Sequence, residues 1–132
     1  MQMEPLERAV LEKAFEGEHP AFVLFQKQLD NLIVKNRQFT GSGFYTKFDV
    51  DVSVGVEQIK VNDISIKFGD VVAEIDGLQY GAGFLVYVEN GVIRMLEGYS
   101  FEEPWPEIIG NFSLSYQEPG RNEVFAKFGP IL

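Results

Sequence analysis

The chain has no cysteine and a single histidine. The first absence removes disulfide frameworks, thiolate metal sites and nucleophilic thiols together. The second leaves His19, just before Pro20 at a helix start, able to act only with a serine or a carboxylate, and its neighbours Glu16 and Glu18 lie on exposed ground. His19 is read as a helix cap or a solvated ring. Basic residues are scarce as well, 11 against 20 acidic ones for a net charge of −9. The imbalance is concentrated: residues 63–107 carry nine acidic and two basic side chains. Such a surface repels phosphates, which argues against nucleic acid; it favours a basic protein partner, or serves solubility alone. Long apolar runs are missing too. No stretch approaches the roughly 20 residues that span a bilayer, and Met1–Val10 brings acidic residues where a secretion signal needs an apolar run. A cytoplasmic protein that keeps away from membranes is expected.

What the chain does contain is 12 Phe, five Tyr and 13 Gly in 132 residues. Rings pack well on pleated faces and glycine serves tight turns, so a sheet-rich single domain over residues 1–132 is expected. The clearest element is Tyr80–Tyr99. Phe84, Val86 and Val88 alternate with Leu85, Tyr87 and Glu89; Asn90-Gly91 supplies a two-residue turn; Val92, Arg94, Leu96 and Gly98 then alternate with Ile93, Met95, Glu97 and Tyr99. Val71, Ala73 and Ile75 form a preceding strand, which makes a β-meander.

Upstream, Pro5–Glu16 reads as an amphipathic helix with Leu6, Ala9, Val10 and Ala14 on its apolar stripe and Glu7 and Glu12 off it. A second helix opens at Pro20, with Phe22, Phe25 and Leu29 along one side and Ala21 and Leu24 beside them, and ends near Asp30. Strands follow from Ile33 and over Phe44–Val50, joined at Gly41-Ser42-Gly43. That turn lacks the strand-to-helix setting of a nucleophile elbow. Val52–Ile66 reads as a loop with short strand pieces, Glu102–Glu107 as a loop fixed by Pro104 and Pro106, and Asn111–Gln117 as a final strand at an edge. Residues 118–132 are expected to form an ordered strap or a flexible tail. The predicted architecture is α+β, two N-terminal helices on one face of a mainly antiparallel sheet of five or six strands.

Gly81-Ala82-Gly83-Phe84, Leu96-Glu97-Gly98-Tyr99 and Glu103-Pro104-Trp105-Pro106, in that order, resemble a group of short uncharacterised bacterial proteins. Phe39-Thr40-Gly41-Ser42-Gly43-Phe44-Tyr45 is similar to theirs as well. The resemblance implies one compact bacterial α+β domain and carries no activity with it.

Acidic residues supply the candidate sites. Glu74, Asp76, Glu102, Glu103 and Glu107, with Trp105 between its prolines, read either as part of a solvated sheet face with local ion pairs to Arg94 or Lys67, or as a negative, aromatic face for a basic protein, for example in an immunity-type inhibitor of a basic toxin. The enzymatic alternative is a small hydrolase or ligand-binding enzyme using Glu97 with Glu102 or Glu103 as paired carboxylates. The spacing fits no EF-hand loop, and neither a metal nor a cofactor is expected. Trp105 also reads as a plug closing one end of the core. Glu97, among apolar neighbours, needs a partner such as a tyrosine hydroxyl, and is expected to staple the proline loop to the hairpin. Self-association into a homodimer, through a strand edge or through aromatics, fits either function.

Overall fold

The computed structural model describes residues 2–51, 53–117 and 120–128. Helices α1 (Pro5–Ala14) and α2 (Pro20–Gln28) come first, a 3-10 turn over Leu29–Asn31 follows, and strands β1 (Leu32–Phe39) and β2 (Gly43–Val50) form a hairpin. A single helical turn, α3 (Val56–Ile59), precedes β3 (Ile66–Phe68), β4 (Val71–Ile75), β5 (Ala82–Glu89), β6 (Val92–Ser100) and β7 (Phe112–Tyr116), and α4 (Gly120–Lys127) ends the described chain. The seven strands form one antiparallel sheet in the order β1-β2-β6-β5-β4-β7, with β3 also paired to β5. The α+β class, the two N-terminal helices and the β4-β5-β6 meander are as predicted. There is one strand more than the upper expectation, because Ile66–Phe68, between the stretch read as a loop and the turn before β4, pairs with Val86–Val88.

Helices α1 and α2 each start where proline removes an amide that would have no partner. At α1 the Glu4 N–H donates to Glu7 Oε1 at 2.7 Å, and at α2 the Ala21 N–H donates to His19 Nδ1 at 3.1 Å, so His19 is indeed a cap. The helices bury Leu6, Val10, Leu11, Ala14, Phe22 and Phe25 against the inward residues of β2, β4, β5 and β6. Rings dominate this layer: Phe15 stacks on Phe25 at 4.7 Å, and Phe128 meets Phe22 edge-on at 4.9 Å. Each such ring contributes roughly 1.5–3 kcal/mol by leaving water. Leu24, expected beside the core, is 48 % exposed because α2 turns that position to solvent.

The Asn90-Gly91 turn has φ of 50° and 77°, the pair of left-handed residues that a tight hairpin requires. Strict alternation fails just after it. The β5/β6 ladder shifts register between Tyr87 and Val88, so Val92 and Ile93 are both fully buried. Buried Gln28 holds this irregularity. Its carbonyl accepts from the Ile93 N–H at 2.7 Å, and its amide donates to the Gly91 and Ile59 carbonyls at 3.0 and 2.9 Å.

Residues 120–127, expected as strap or tail, form helix α4. Arg121 fastens it, donating to the Lys13 and Ala14 carbonyls at the end of α1 and lying over the Tyr116 ring at 4.3 Å. Residues 118–119 and 129–132 of that segment, with Gly129 and Pro130, lie outside the described residues. Among the described residues no helix is long and apolar enough to cross a membrane.

Candidate functional site

The proline loop after β6 gathers segments distant in sequence at one corner of the sheet. Gly98 faces inward on β6, where a side chain would overlap the Phe44 ring; a glycine is what lets that ring lie flat on the strand. Phe44 in turn meets Trp105 edge-on at 5.3 Å, and the Trp105 N–H donates to the Gly41 carbonyl at 2.8 Å. The Ser100 hydroxyl reaches both the Ser42 and the Glu103 carbonyls. Glu103 then spends its two carboxylate oxygens on the Gln79 and Tyr80 amides, at 2.8 and 2.9 Å. So Glu103, not Glu97, pins the proline loop to the rest of the sheet.

Two hollows flank this corner. The first, an open hollow of about 890 Å³, lies on the outer face of β4 and β7 and on the Gly77–Gly81 loop. Its walls include Glu74, Asp76, Tyr80, Phe101, Ser113 and Ser115. Pairing register explains the set, because outward Glu74 stands opposite Ser113 and outward Val72 opposite Ser115. Tyr80 is 65 % exposed and Phe101 also projects into water. Asp76 accepts weakly from the Asn111 N–H at 3.3 Å, and the Glu74 carboxylate has no hydrogen bond or ion pair among the described residues.

The second hollow, of about 600 Å³, is more apolar and opens between the start of α1, the end of β1 and the loop, where Phe39, Trp105, Ile108 and Phe112 line it. At its base sits a buried ion cluster that the helical period did not reveal. Glu7, placed off the apolar stripe by its sequence, is 2 % exposed. Arg37 holds both of its oxygens, Nε to Oε2 at 2.9 Å and Nη2 to Oε1 at 2.7 Å, and Thr46 donates to it as well. The cause is a bulge in β1. Register shifts between Val34 and Asn36, which brings Arg37 opposite inward-facing Thr46 and so beneath α1. The paired carboxylate raises the Arg37 pKa further above its ordinary value.

No protein family matches the chain, and neither a curated protein nor a solved structure matches it at a significant level.

Of the sequence-predicted partner residues, Glu74 and Asp76 meet in the first hollow, while Glu107 and Trp105 line the second. Trp105 is only 9 % exposed and serves mainly as the plug. Glu102, exposed and with φ of 63°, forms the turn into the loop and lines neither hollow. Glu97 is on the open outer face of β6, away from both hollows. There it accepts from the Tyr87 hydroxyl at 3.0 Å and stands opposite Tyr45 across the β2/β6 pair. The Glu97 charge raises the Tyr45 pKa; burial first, and Glu97 second, raises that of Tyr87. Glu97, Glu102 and Glu103 are thus not gathered around one hollow. Among the described residues no three His, Asp or Glu side chains come together to hold a metal ion.

Tyr80, Phe101, Ser113 and Ser115 were not singled out from the sequence. For the serines a signal existed: alternation with Phe112, Leu114 and Tyr116 sends them to the polar face.

Proposed function

We propose that this protein is a non-enzymatic, cytoplasmic binding domain that docks a basic protein segment in the hollow over β4 and β7. One observation carries the reading: Glu74 and Asp76 share a concave surface with exposed Tyr80 and Phe101, a combination suited to a cationic side chain and its apolar stem. The carboxylates stand at the end of a regular strand, and the Glu103 clamp orders the loop that bears Tyr80, so little ordering entropy is lost on binding. An immunity-type inhibitor covering a basic toxin's active site is the specific form, favoured by the net charge of −9. The hydrolase alternative lacks comparable support, since Glu103 has both oxygens committed to amides and Glu97 is bonded to a tyrosine on an open face.

An amide-resolved NMR titration with a short arginine- and lysine-rich peptide, with its glutamate-substituted counterpart as control, tests this. Shifts are expected at residues 72–81, 101 and 111–117, with the basic peptide alone, and a Glu74→Lys/Asp76→Lys variant should abolish them. Shifts that survive the double substitution, or that scatter over the whole surface, would overturn the reading. Salt should weaken binding in the range where the Debye length falls below about 10 Å.

A further inference from the structure

The outer edge of β7 carries a residue pattern that is nearly symmetric about its centre. Asn111-Phe112-Ser113-Leu114-Ser115-Tyr116-Gln117 reads nearly the same in both directions by residue class: amide, ring, serine, leucine, serine, ring, amide. A two-fold interface needs a patch that is its own complement, and an antiparallel pair of identical strands meets that need when its pattern is symmetric about the centre. Here the centre is Leu114.

The backbone points to the same register. The Gln117 N–H donates to the Asp70 carbonyl and the Asp76 N–H to the Asn111 carbonyl. In an antiparallel ladder bonding residues alternate, so residues 111, 113, 115 and 117 bond toward β4, while Phe112, Leu114 and Tyr116 turn their N–H and C=O groups outward. Among the described residues nothing bonds to those outward groups. In a symmetric pair centred on Leu114, they meet their mates in full: Leu114 opposite Leu114, Phe112 opposite Tyr116, each pair exchanging both bonds. The side chains agree. Phe112, Leu114 and Tyr116 are half-buried against the core on one side, and a neighbouring strand would cover the remainder and place ring against ring.

Edge strands are ordinarily guarded by a charge, a proline or a bulge. The other edge, β1, has Lys35 and Arg37 and a bulge between Val34 and Asn36. β7 has none of these over residues 111–117. We propose that this protein is a homodimer in which the β7 strands pair antiparallel about Leu114, joining two sheets into one. The hollow over β4 and β7 stays open, because its walls stand on the outer face, and the two hollows come side by side across the two-fold axis. The facing Glu74 carboxylates would be about 15 Å apart, three strand spacings and a register offset, well beyond the physiological Debye length of about 8 Å. This inference does not depend on the basic-partner reading.

Sedimentation analysis over a range of concentrations tests it, in physiological salt. The unmodified chain should form a reversible dimer. Ser113→Lys/Ser115→Lys, on exposed positions, sets lysine directly opposite lysine twice and should raise the dissociation constant at least about tenfold, with an unchanged circular dichroism spectrum. Because the chain has no cysteine, Leu114→Cys gives a second, register-specific readout. Its thiols would lie on the two-fold axis, with Cα atoms about 5.5 Å apart, and should cross-link under mild oxidation, whereas Lys35→Cys on the β1 edge should not. A chain that sediments as a monomer throughout, or a double-lysine variant that dimerises as the unmodified chain does, would overturn the proposal. So would cross-linking at 35 equal to that at 114.

Discussion

Glu7 and Glu97 each accept a hydrogen bond from a neighbouring hydroxyl, one on the helical side of the sheet and the other on its open side. Their surroundings make them different devices. Glu7 lies on the buried side of α1, with both oxygens held by the Arg37 guanidinium and further bonds from Thr46 and the Glu4 amide. Glu97 is partly in water, bonded to the Tyr87 hydroxyl and beside that of Tyr45, with no cation paired to it among the described residues. On the covered face the Glu7 charge is part of a closed network; on the open face that of Glu97 is left available.

The largest test of that contrast removes each carboxylate in turn. Glu7→Ala strands the Arg37 charge in a dry site, and breaking a buried pair from one side costs about 3–5 kcal/mol. Glu97→Ala gives up one hydrogen bond at a half-exposed position, a loss of about 0.5–1.5 kcal/mol. Denaturant unfolding of both variants reads the difference. Equal losses would mean that Glu97 is held in the fold as Glu7 is, and the division between a structural and an available face would fail.

The same contrast explains what the letters disclosed. On the open face and through the meander, period-2 alternation reports burial directly: β2 and β5 follow it, and so the sheet, its helices and the outward carboxylates Glu74 and Asp76 were legible. Beneath α1 the deciding event is a one-residue bulge in β1, which local sequence does not announce. It swings Arg37 inward, and only then does Glu7, on the same helix as Leu6 and Val10, become a core residue. Gln28 is similar, since its burial depends on the slip in the β5/β6 ladder more than sixty positions away in the chain. The helix α4 was illegible for another reason: its turns carry little apolar periodicity, and it is held by Arg121 and by the insertion of Phe128 among Phe22, Phe25 and Phe68. At the site, Glu74 and Asp76 were found, whereas Tyr80 and Phe101 owe their place to the Glu103 clamp and the turn at Glu102.

A smaller effect is expected where the two faces share a strand. Gly98 is inward on β6, next to outward Glu97, and an alanine there would press into the Phe44 ring that carries Trp105. Overpacking of this kind costs about 1–3 kcal/mol. Because the displaced ring supports the proline loop, Gly98→Ala should also quench or shift the Trp105 fluorescence differently from Glu97→Ala, although the two positions are adjacent. Identical tryptophan spectra in the two variants would show that the faces are not mechanically separate at β6.

The smallest effect in stability, and the sharpest in titration, is expected from Glu97→Gln. The amide still accepts from Tyr87, so the fold should lose less than about 1 kcal/mol. What disappears is the charge that raises the Tyr45 pKa and contributes to the rise at Tyr87. A tyrosine whose folded pKa lies above its unfolded value keeps its proton longer in the native state. The stabilisation is therefore full below the unfolded value near 10 and is lost as pH rises through the folded one. In Glu97→Gln the Tyr45 titration should fall back toward 10, that of Tyr87 only in part because burial is its first cause, and the alkaline loss of stability should be shallower. Tyr116 provides the internal reference: burial against the sheet edge and its bond to Glu16 push it up to about 12, with no share from Glu97. Ring-carbon NMR across the alkaline range would resolve the three. A Tyr116 that moves with Glu97→Gln would link the open face to the helical layer, whereas an unmoved Tyr45 would mean that the Glu97 charge is screened by water and acts on nothing but Tyr87.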